Sequence, residues 1–545
     1  MILNNLHNPE QLRALELSQL ATLCNELRSF VLAQPQLKAG HANSSLGVTE
    51  LTVALHYVFN TPKDVLIWDV GHQSYIHKIL TKRKDAFASI RMYQGISGFT
   101  KSSESEYDSF GAGHSSTSIS ALCGFAEADR LNSLYRQRVA VIGDGALTGG
   151  MSFEALNYAG DKQLDILVVL NDNETSIDAN VGALQSNTSY QAFFEALAFQ
   201  YFEVVEGNDV GKLVKALETM AHFKGPKVLR IKTKKGDFRG NASISSDYLT
   251  FQKVFGEHSL KLASRHQNLV AISPAMVAGA GWAAFKLEFP NRIYDVGIAE
   301  QHAVTMACGM ATAGSLPLVH LYSTFSQRAV DQIIHDAALP NLHLIFAFDR
   351  AGLVGADGPT HHGTFDVALF SGIPNCKIIS PADAYSLRAA LDMACAIKGI
   401  WIIRYPKRNC QERLSNDAWQ NGKLRALNPG NRKAVISFGE IATEVRKAIE
   451  DTTFAHFDMP FLQDWDEQEI RQLADRFDEL ITVEENTAIG GLGDSLRHFL
   501  AERSILIKVR SLHLPDCFIE HGSNSELLKV VGLDSKSIRQ FMESD

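Results

Sequence analysis

Several common features are missing from this 545-residue sequence. Its seven cysteines, Cys24, Cys123, Cys308, Cys376, Cys395, Cys410 and Cys517, include no C-x-x-C pair. That spacing argues against a zinc site or a disulfide framework and favours buried free thiols in a reducing compartment. Basic excess is absent as well: 52 Lys and Arg against 61 Asp and Glu leave a net charge of −9, which gives nucleic acid no footprint. The densest basic stretch, residues 224–239, reads as a solvated edge. No apolar run approaches the roughly 20 residues that span a bilayer. Residues 1–30 lack a charged segment followed by an apolar one, and Glu10, Arg13 and Glu16 interrupt the leucines, so they read as an amphipathic helix rather than a signal peptide. Short repeats and low-complexity tracts are also absent. We therefore expect a cytoplasmic protein with neither nucleic-acid nor membrane partners.

What is present is an ordinary globular composition, 45% hydrophobic and 21% charged, in a chain too long for one core. Its length suits roughly three domains of about 150 to 200 residues. Short β-branched runs alternate with longer helical patterns, beginning with Val65 to Trp68, Val139 to Ile142, Leu164 to Leu170 and Val228 to Ile231. Continuous apolar strands covered by helices on both faces imply parallel sheets of an α/β protein. A polar stretch, 237–247, reads as a linker, after which strands recur at 269–272, 292–296, 318–322, 342–348 and 401–404. A second polar stretch, 408–432, precedes a third set at 434–437, 480–483 and 505–509. The expected fold is α/β, three tandem α/β units with mainly parallel sheets, divided at 1–245, 246–415 and 416–545.

Two of these strands end in residues with chemical potential. Gly143-Asp144-Gly145 follows the strand at 139–142, and Asn171-Asp172-Asn173 follows the next. Ligands of open parallel sheets bind at such carboxyl ends. The glycines admit phosphate oxygens close to backbone N–H groups. Asp144, an Asn amide oxygen and a backbone carbonyl near Thr175 would leave octahedral positions for two phosphate oxygens and water, as Mg²⁺ on a diphosphate requires. Either motif alone reads equally as a turn rich in Asn, Asp and Gly, but their occurrence at consecutive strand ends favours the metal site. The run Gly143 to Gly149 is not G-x-G-x-x-G, which counts against a nicotinamide-dependent dehydrogenase. Residues 113–118, Gly-His-Ser-Ser-Thr-Ser, open an apparent helix and read either as an anion site or as a plain N-cap. With Gly40-His41 and Gly71-His72 they make three Gly-His turns, which suggests imidazoles converging on one pocket. Far downstream, Glu300 in Ala299-Glu300-Gln301-His302 is placed to activate a heterocycle, and with the diphosphate motif it suggests thiamine diphosphate.

The stretches 50–57, 68–73, 113–120, 143–145, 299–304, 322–325 and 349–361, followed by Val483-Glu484-Glu485-Asn486 and Leu514-Pro515-Asp516, resemble the 1-deoxy-D-xylulose-5-phosphate synthases in order along nearly the whole chain. That family is transketolase-like and depends on thiamine diphosphate. The resemblance implies decarboxylation of pyruvate and transfer of the two-carbon fragment to D-glyceraldehyde 3-phosphate by a homodimer. It implies Asp144, Asn173 and the Thr175 carbonyl as Mg²⁺ ligands. His72, Gly113, His114, Ser115, Gly145 and Ala146 would line the cofactor, with Asn173 beside the diphosphate and Phe325 stacked on the aminopyrimidine. Glu300 would bond the pyrimidine N1′, a task that suits a charge-assisted hydrogen bond. His41, His302 and His361 would move protons, and Tyr322, Arg328, Arg350, Asp357 and Arg404 would hold substrate, the guanidinium groups gripping carboxylate or phosphate.

Two departures from the family accompany this match. After Val181-Gly182-Ala183-Leu184 a long family insertion is missing, and after Lys235-Gly236 the usual aromatic, Pro-Ala-Glu and His give way to Asp237-Phe238-Arg239. The second change leaves open a different acceptor in another transketolase-like or acyloin-forming enzyme. A non-catalytic paralogue is the remaining rival, and retention of Asp144, Asn173 and Glu300 argues against it.

Overall fold

The computed structural model describes residues 1–35, 37, 39–173, 181–186, 189–234, 248–431 and 433–544, with only the backbone of 39–41, 185 and 186. Three sheets form among them. The first contains β1 (Val65–Trp68), β2 (Arg138–Gly143), β3 (Leu167–Asp172), β4 (Gln200–Val204) and β5 (Lys227–Lys232), in the order β1-β2-β3-β5-β4 and parallel throughout. The second contains β6 (Leu269–Ser273), β7 (Ile293–Asp295), β8 (Leu316–Tyr322), β9 (Leu344–Asp349), β10 (Cys376–Ile379) and β11 (Ile400–Tyr405), in the order β10-β11-β9-β8-β6-β7, again all parallel. The third runs β12-β14-β13-β15-β16, built from β12 (Arg425–Asn428), β13 (Ala434–Phe438), β14 (Ala455–Asp458), β15 (Glu479–Glu484) and β16 (Lys508–Leu512). Only β12 pairs antiparallel there.

Central strands such as β3, β9 and β11 are buried along their whole length, which is why they read as unbroken apolar runs. Two of the strands at sheet edges differ. β4 mixes exposed and half-buried residues, and β12 is short and polar inside the stretch that reads as a linker. The amino-terminal segment forms two helices, Pro9–Arg13 and Leu17–Leu32, in place of one. The expected linker at 237–247 lies outside the described residues. Cys24, Cys123, Cys308, Cys376 and Cys395 are buried free thiols as expected, whereas Cys410 is half-buried and Cys517 exposed. Among the described residues no helix is long and apolar enough to cross a membrane.

Chain contacts divide the molecule into two compact units, residues 1–245 with 297–299, and 246–296 with 300–545. The second unit therefore carries two sheets, and one hydrophobic core runs through both, from Phe251 and Leu344 to Ile436 and Leu480. A buried hydrogen-bonded cluster of one arginine and two carboxyl groups adds to this junction. Arg425 of β12 reaches Asp383 Oδ2 at 2.8 Å and Asp458 Oδ2 of β14 at 3.2 Å, while Asp383 caps the helix Ala384–Ala396 by accepting from the Ser386 N–H at 2.7 Å. In the first unit a comparable network anchors the segment after Gly71-His72. His77 bridges His56 at 2.9 Å and Asp108 at 2.8 Å, and Arg83 donates to both Asp108 oxygens at 2.8 Å. Burial alone would raise the Asp108 carboxyl, but the Arg83 and His77 bonds hold it well below the usual carboxylate range.

Candidate functional site

In the first unit β2 and β3 are neighbours, paired Gly143 to Asn171, so their carboxyl ends lie side by side. Asp144 begins the short helix Asp144–Leu147 and is only 2% exposed. Its Oδ1 accepts from the Gly145 N–H at 2.9 Å and its Oδ2 from the Asn173 N–H at 3.3 Å. The two preceding residues have structural partners: Asn171 Oδ1 accepts the Thr233 hydroxyl at 2.6 Å, and Asp172 Oδ2 pairs with Arg230 Nε at 2.9 Å. Asp144 and Asn173 thus meet at neighbouring strand ends, and their side chains carry a carboxylate and a primary amide. These are hard oxygen donors of the kind that Mg²⁺ on a diphosphate takes. Thr175, the expected third ligand, lies outside the described residues.

The Gly113-His114-Ser115 segment is tied to that edge from two directions. Asp69, just after β1, accepts from the Ser116 N–H at 2.7 Å and the Ser118 N–H at 3.0 Å. The Ser116 hydroxyl, on a residue at φ +69°, donates to the Ala146 carbonyl at 2.7 Å. A Cβ on Gly149 would sit 2.2 Å from Ser116 Oγ, so only glycine permits this approach. The helix begins at Ser118, later than the sequence pattern suggests, and two N–H groups at its start are already taken by Asp69. Gly113 and Ser115 are buried beside buried Gly145 and Ala146, and His114 and His72 are half-buried. Gly40-His41 is not a turn: its backbone lies within the helix Ala39–Gly47, and the His41 side chain is outside the described residues.

In the second unit Tyr322, Asp349 and Tyr405 are in register at the ends of the adjacent strands β8, β9 and β11. Tyr322 and Phe325 stack with ring centroids 5.5 Å apart and planes at 13°, and His361 meets Phe325 edge-on at 5.6 Å. The Arg350 guanidinium lies 3.9 Å from the Tyr322 ring centroid, and its Nη1 is 3.8 Å from Asp357 Oδ2. Five of the expected residues, Tyr322, Phe325, Arg350, Asp357 and His361, therefore form one cluster. Glu300 opens the helix Glu300–Thr312 and is 5% exposed, with Arg328 Nε 3.6 Å from its Oε2. Burial pushes the Glu300 carboxyl up, and Arg328 only partly offsets this. His302, two residues on, is exposed.

Arg404 departs from the expectation. It is 3% exposed, and its Nε donates to Asp366 Oδ2 at 2.9 Å, with Ser380 Oγ and the Gly363 carbonyl each at 3.4 Å from its other nitrogens. A guanidinium enclosed in this way has its donors directed at protein groups. The basic residues that do face open space are further along the same segment. A cavity of about 330 Å³ is lined by Arg350, Lys407, Arg408, Asn409, Gln252 and Asp349 among others. Lys407 and Arg408 escaped sequence reasoning, although a cationic pair just beyond a strand end was a visible signal.

The family model for 1-deoxy-D-xylulose-5-phosphate synthase matches residues 3–191 and 186–233. The transketolase pyrimidine binding domain matches 247–412 and the transketolase C-terminal domain 422–538. A 1-deoxy-D-xylulose-5-phosphate synthase of Alkalilimnicola ehrlichii is 41% identical, covering 99% of this chain and 97% of its own. The chain belongs to the 1-deoxy-D-xylulose-5-phosphate synthase family. A second member, from Vibrio parahaemolyticus, is 41% identical over 98% of this chain and 96% of its own. A transketolase structure from Campylobacter jejuni is 18% identical, covers 97% of this chain and 100% of that chain, and superposes with a TM-score of 0.47. The first family match breaks at 186–191, beside the point where the sequence lacks the insertion, and the alignment with the first relative runs to 608 positions against the 545 residues present. Members of this family depend on thiamine diphosphate, and the fold here is theirs: tandem α/β layers with mainly parallel sheets.

Proposed function

We propose that this chain decarboxylates pyruvate and joins the remaining two carbons to D-glyceraldehyde 3-phosphate, giving 1-deoxy-D-xylulose 5-phosphate and CO₂. The observation that carries the proposal is 41% identity to a family member across 99% of the chain. When bound, thiamine diphosphate supplies the electron sink that the two-carbon fragment needs. Asp144 and Asn173, with the Thr175 carbonyl, hold Mg²⁺ on its diphosphate. His72, Gly113, His114, Ser115, Gly145 and Ala146 line the same end, a role supported by the bond that ties Ser116 to the Ala146 carbonyl. Phe325, which stacks on Tyr322, is the flat apolar ring that meets the aminopyrimidine.

Glu300 holds the pyrimidine N1′ proton, a role supported by its burial and raised affinity for protons. Arg328 steadies that carboxylate. Arg350, with Lys407 in place of the enclosed Arg404, grips the acceptor phosphate in the cavity that both line. Asp357 and His361 orient the acceptor hydroxyl and aldehyde, and His41 and His302 complete the proton transfers. We further propose a cytoplasmic homodimer with domains at 1–245, 246–415 and 416–545. Exposed Met151, Phe153 and Tyr158 on the helix Gly150–Asp161 support contact with a second copy.

A second acceptor remains a competing reading because 234–246 falls between the matched domains. One assay separates the two. The protein is incubated with thiamine diphosphate, Mg²⁺ and pyruvate, with and without glyceraldehyde 3-phosphate, and CO₂ and sugar phosphate are followed. Formation of 1-deoxy-D-xylulose 5-phosphate is expected; CO₂ release with ligation only to another aldehyde supports the competing reading. Light scattering under the same conditions reports the dimer.

A further inference from the structure

The adjacent carboxylates at the end of β15 have separate destinations. Glu484 Oε2 accepts from the Leu492 N–H at 2.6 Å and its Oε1 from the Gly493 N–H at 2.9 Å, capping the helix Leu492–Glu502. Glu485 instead leaves the third sheet for the loops of the second. Its Oε1 accepts from the Leu353 N–H at 2.7 Å and from Arg408 Nη2 at 2.6 Å, and its Oε2 from Arg408 Nη1 at 2.7 Å. Glu440, just after β13, takes a further bond from Arg408 Nη1 at 2.8 Å. Two carboxylates of the third sheet therefore enclose one guanidinium of the second, and Arg408 brings no net positive charge to the cavity it lines. Arg350 and Lys407 are the other cations that line this cavity.

The same carboxylate sets the loop that aims Arg350. Arg350 has φ +61°, a conformation that costs a non-glycine residue free energy and persists only when its surroundings enforce it. Its N–H donates to Asp349 Oδ1 at 2.6 Å, the Ala351 N–H to the Tyr405 carbonyl at 3.1 Å, and the Leu353 N–H to Glu485. Between them Gly352, at φ +74°, lies so close that a Cβ there would be 2.8 Å from Glu485 Oε1. Glu485 thus braces both sides of the cavity, the Arg350 loop directly and the Lys407-Arg408 segment through a bidentate pair.

We propose that Glu485 is a positioning residue for the anion cavity, so that the third sheet sets the affinity for a phosphate-bearing acceptor without touching it. The proposal rests on Arg350 as the phosphate ligand. In Glu485→Gln the amide can still accept from the Leu353 N–H, but its own N–H₂ opposes the donors of Arg408. We expect KM for glyceraldehyde 3-phosphate to rise about tenfold while kcat stays within about threefold, since displaced cations weaken binding more than the chemical step. Arg408→Lys, whose single ammonium cannot span both carboxylates, should raise the same KM by about threefold or more, and it decides the matter if Glu485→Gln does not fold. Arg350→Ala, compared on glyceraldehyde 3-phosphate and unphosphorylated glyceraldehyde, checks the premise. If it shows no loss specific to the phosphorylated acceptor, the reading of Arg350 falls and takes this proposal with it. If that loss is seen but Glu485→Gln and Arg408→Lys leave KM within about twofold, or lower kcat equally with every substrate, the positioning role alone is overturned.

Discussion

Replacing Arg404 and Arg350 separately by alanine distinguishes an arginine that holds the fold from one that holds substrate. Arg404 and Asp366 are paired at 2.9 Å with side chains 4% and 1% exposed, so Arg404→Ala leaves a buried carboxylate without its cation. Breaking a buried pair by removing one partner costs about 3 to 5 kcal/mol. The second compact unit has about 300 residues, and an unfolding entropy of about 2.1 cal/mol/K per residue turns that cost into a Tm fall of about 5 to 8 °C. Arg350 is half-buried on the cavity wall, and if it holds the acceptor phosphate as proposed, its loss removes a charge-assisted bond of about 1.5 to 3 kcal/mol, or about 10- to 150-fold in KM for glyceraldehyde 3-phosphate. Differential scanning fluorimetry and steady-state kinetics on both variants give the comparison. The expected pattern is a large Tm loss with KM within about threefold for Arg404→Ala, and the reverse for Arg350→Ala. An Arg404→Ala protein that melts like wild type and loses acceptor affinity would refute the reasoning.

Two further outcomes are expected. Glu300→Gln should lower kcat by about 10²- to 10⁴-fold, the usual contribution of a positioned acid or base, while thiamine diphosphate still binds in a fluorescence titration; activity within tenfold of wild type would mean that the activator lies elsewhere. Asp458 is fully buried with Oδ1 unbonded, and burial pushes its carboxyl up to about 8 against the pull of Arg425. A raised carboxyl binds its proton more tightly in the folded state, so stability declines as pH rises from the ordinary value near 3.8 through about 8. Asp458→Asn should therefore melt near or below wild type at pH 5 and above it at pH 9, and a difference that does not change with pH would contradict this.

The parts of the site carried by consecutive strands were readable from sequence because a parallel sheet sets such ends side by side. Gly143-Asp144-Gly145 and Asn171 to Asn173 meet as expected for that reason. Two edge strands were not readable: Gln200–Val204 and Arg425–Asn428 are too polar and short to stand out from loops, whereas the apolar edge strand Val65–Trp68 was. Arg404 misled because a strand-end arginine looks the same whether it faces Asp366 or solvent, and sequence carries no record of the distant carboxylate. The same holds for Glu485, 132 residues from the loop it braces. The three Gly-His pairs were alike in sequence yet differ in backbone, one of them being helical.

Glu484 and Glu485 divide their labour because successive residues of a strand face opposite ways. A single-residue insertion within β15 would set Val483 where Glu484 caps the helix, and a deletion would set Asn486 where Glu485 braces the loop. Substitutions along β15 can be graded in their effect, whereas any change in its length is all or nothing. The segment is therefore one where drift in sequence is tolerable and drift in spacing is not.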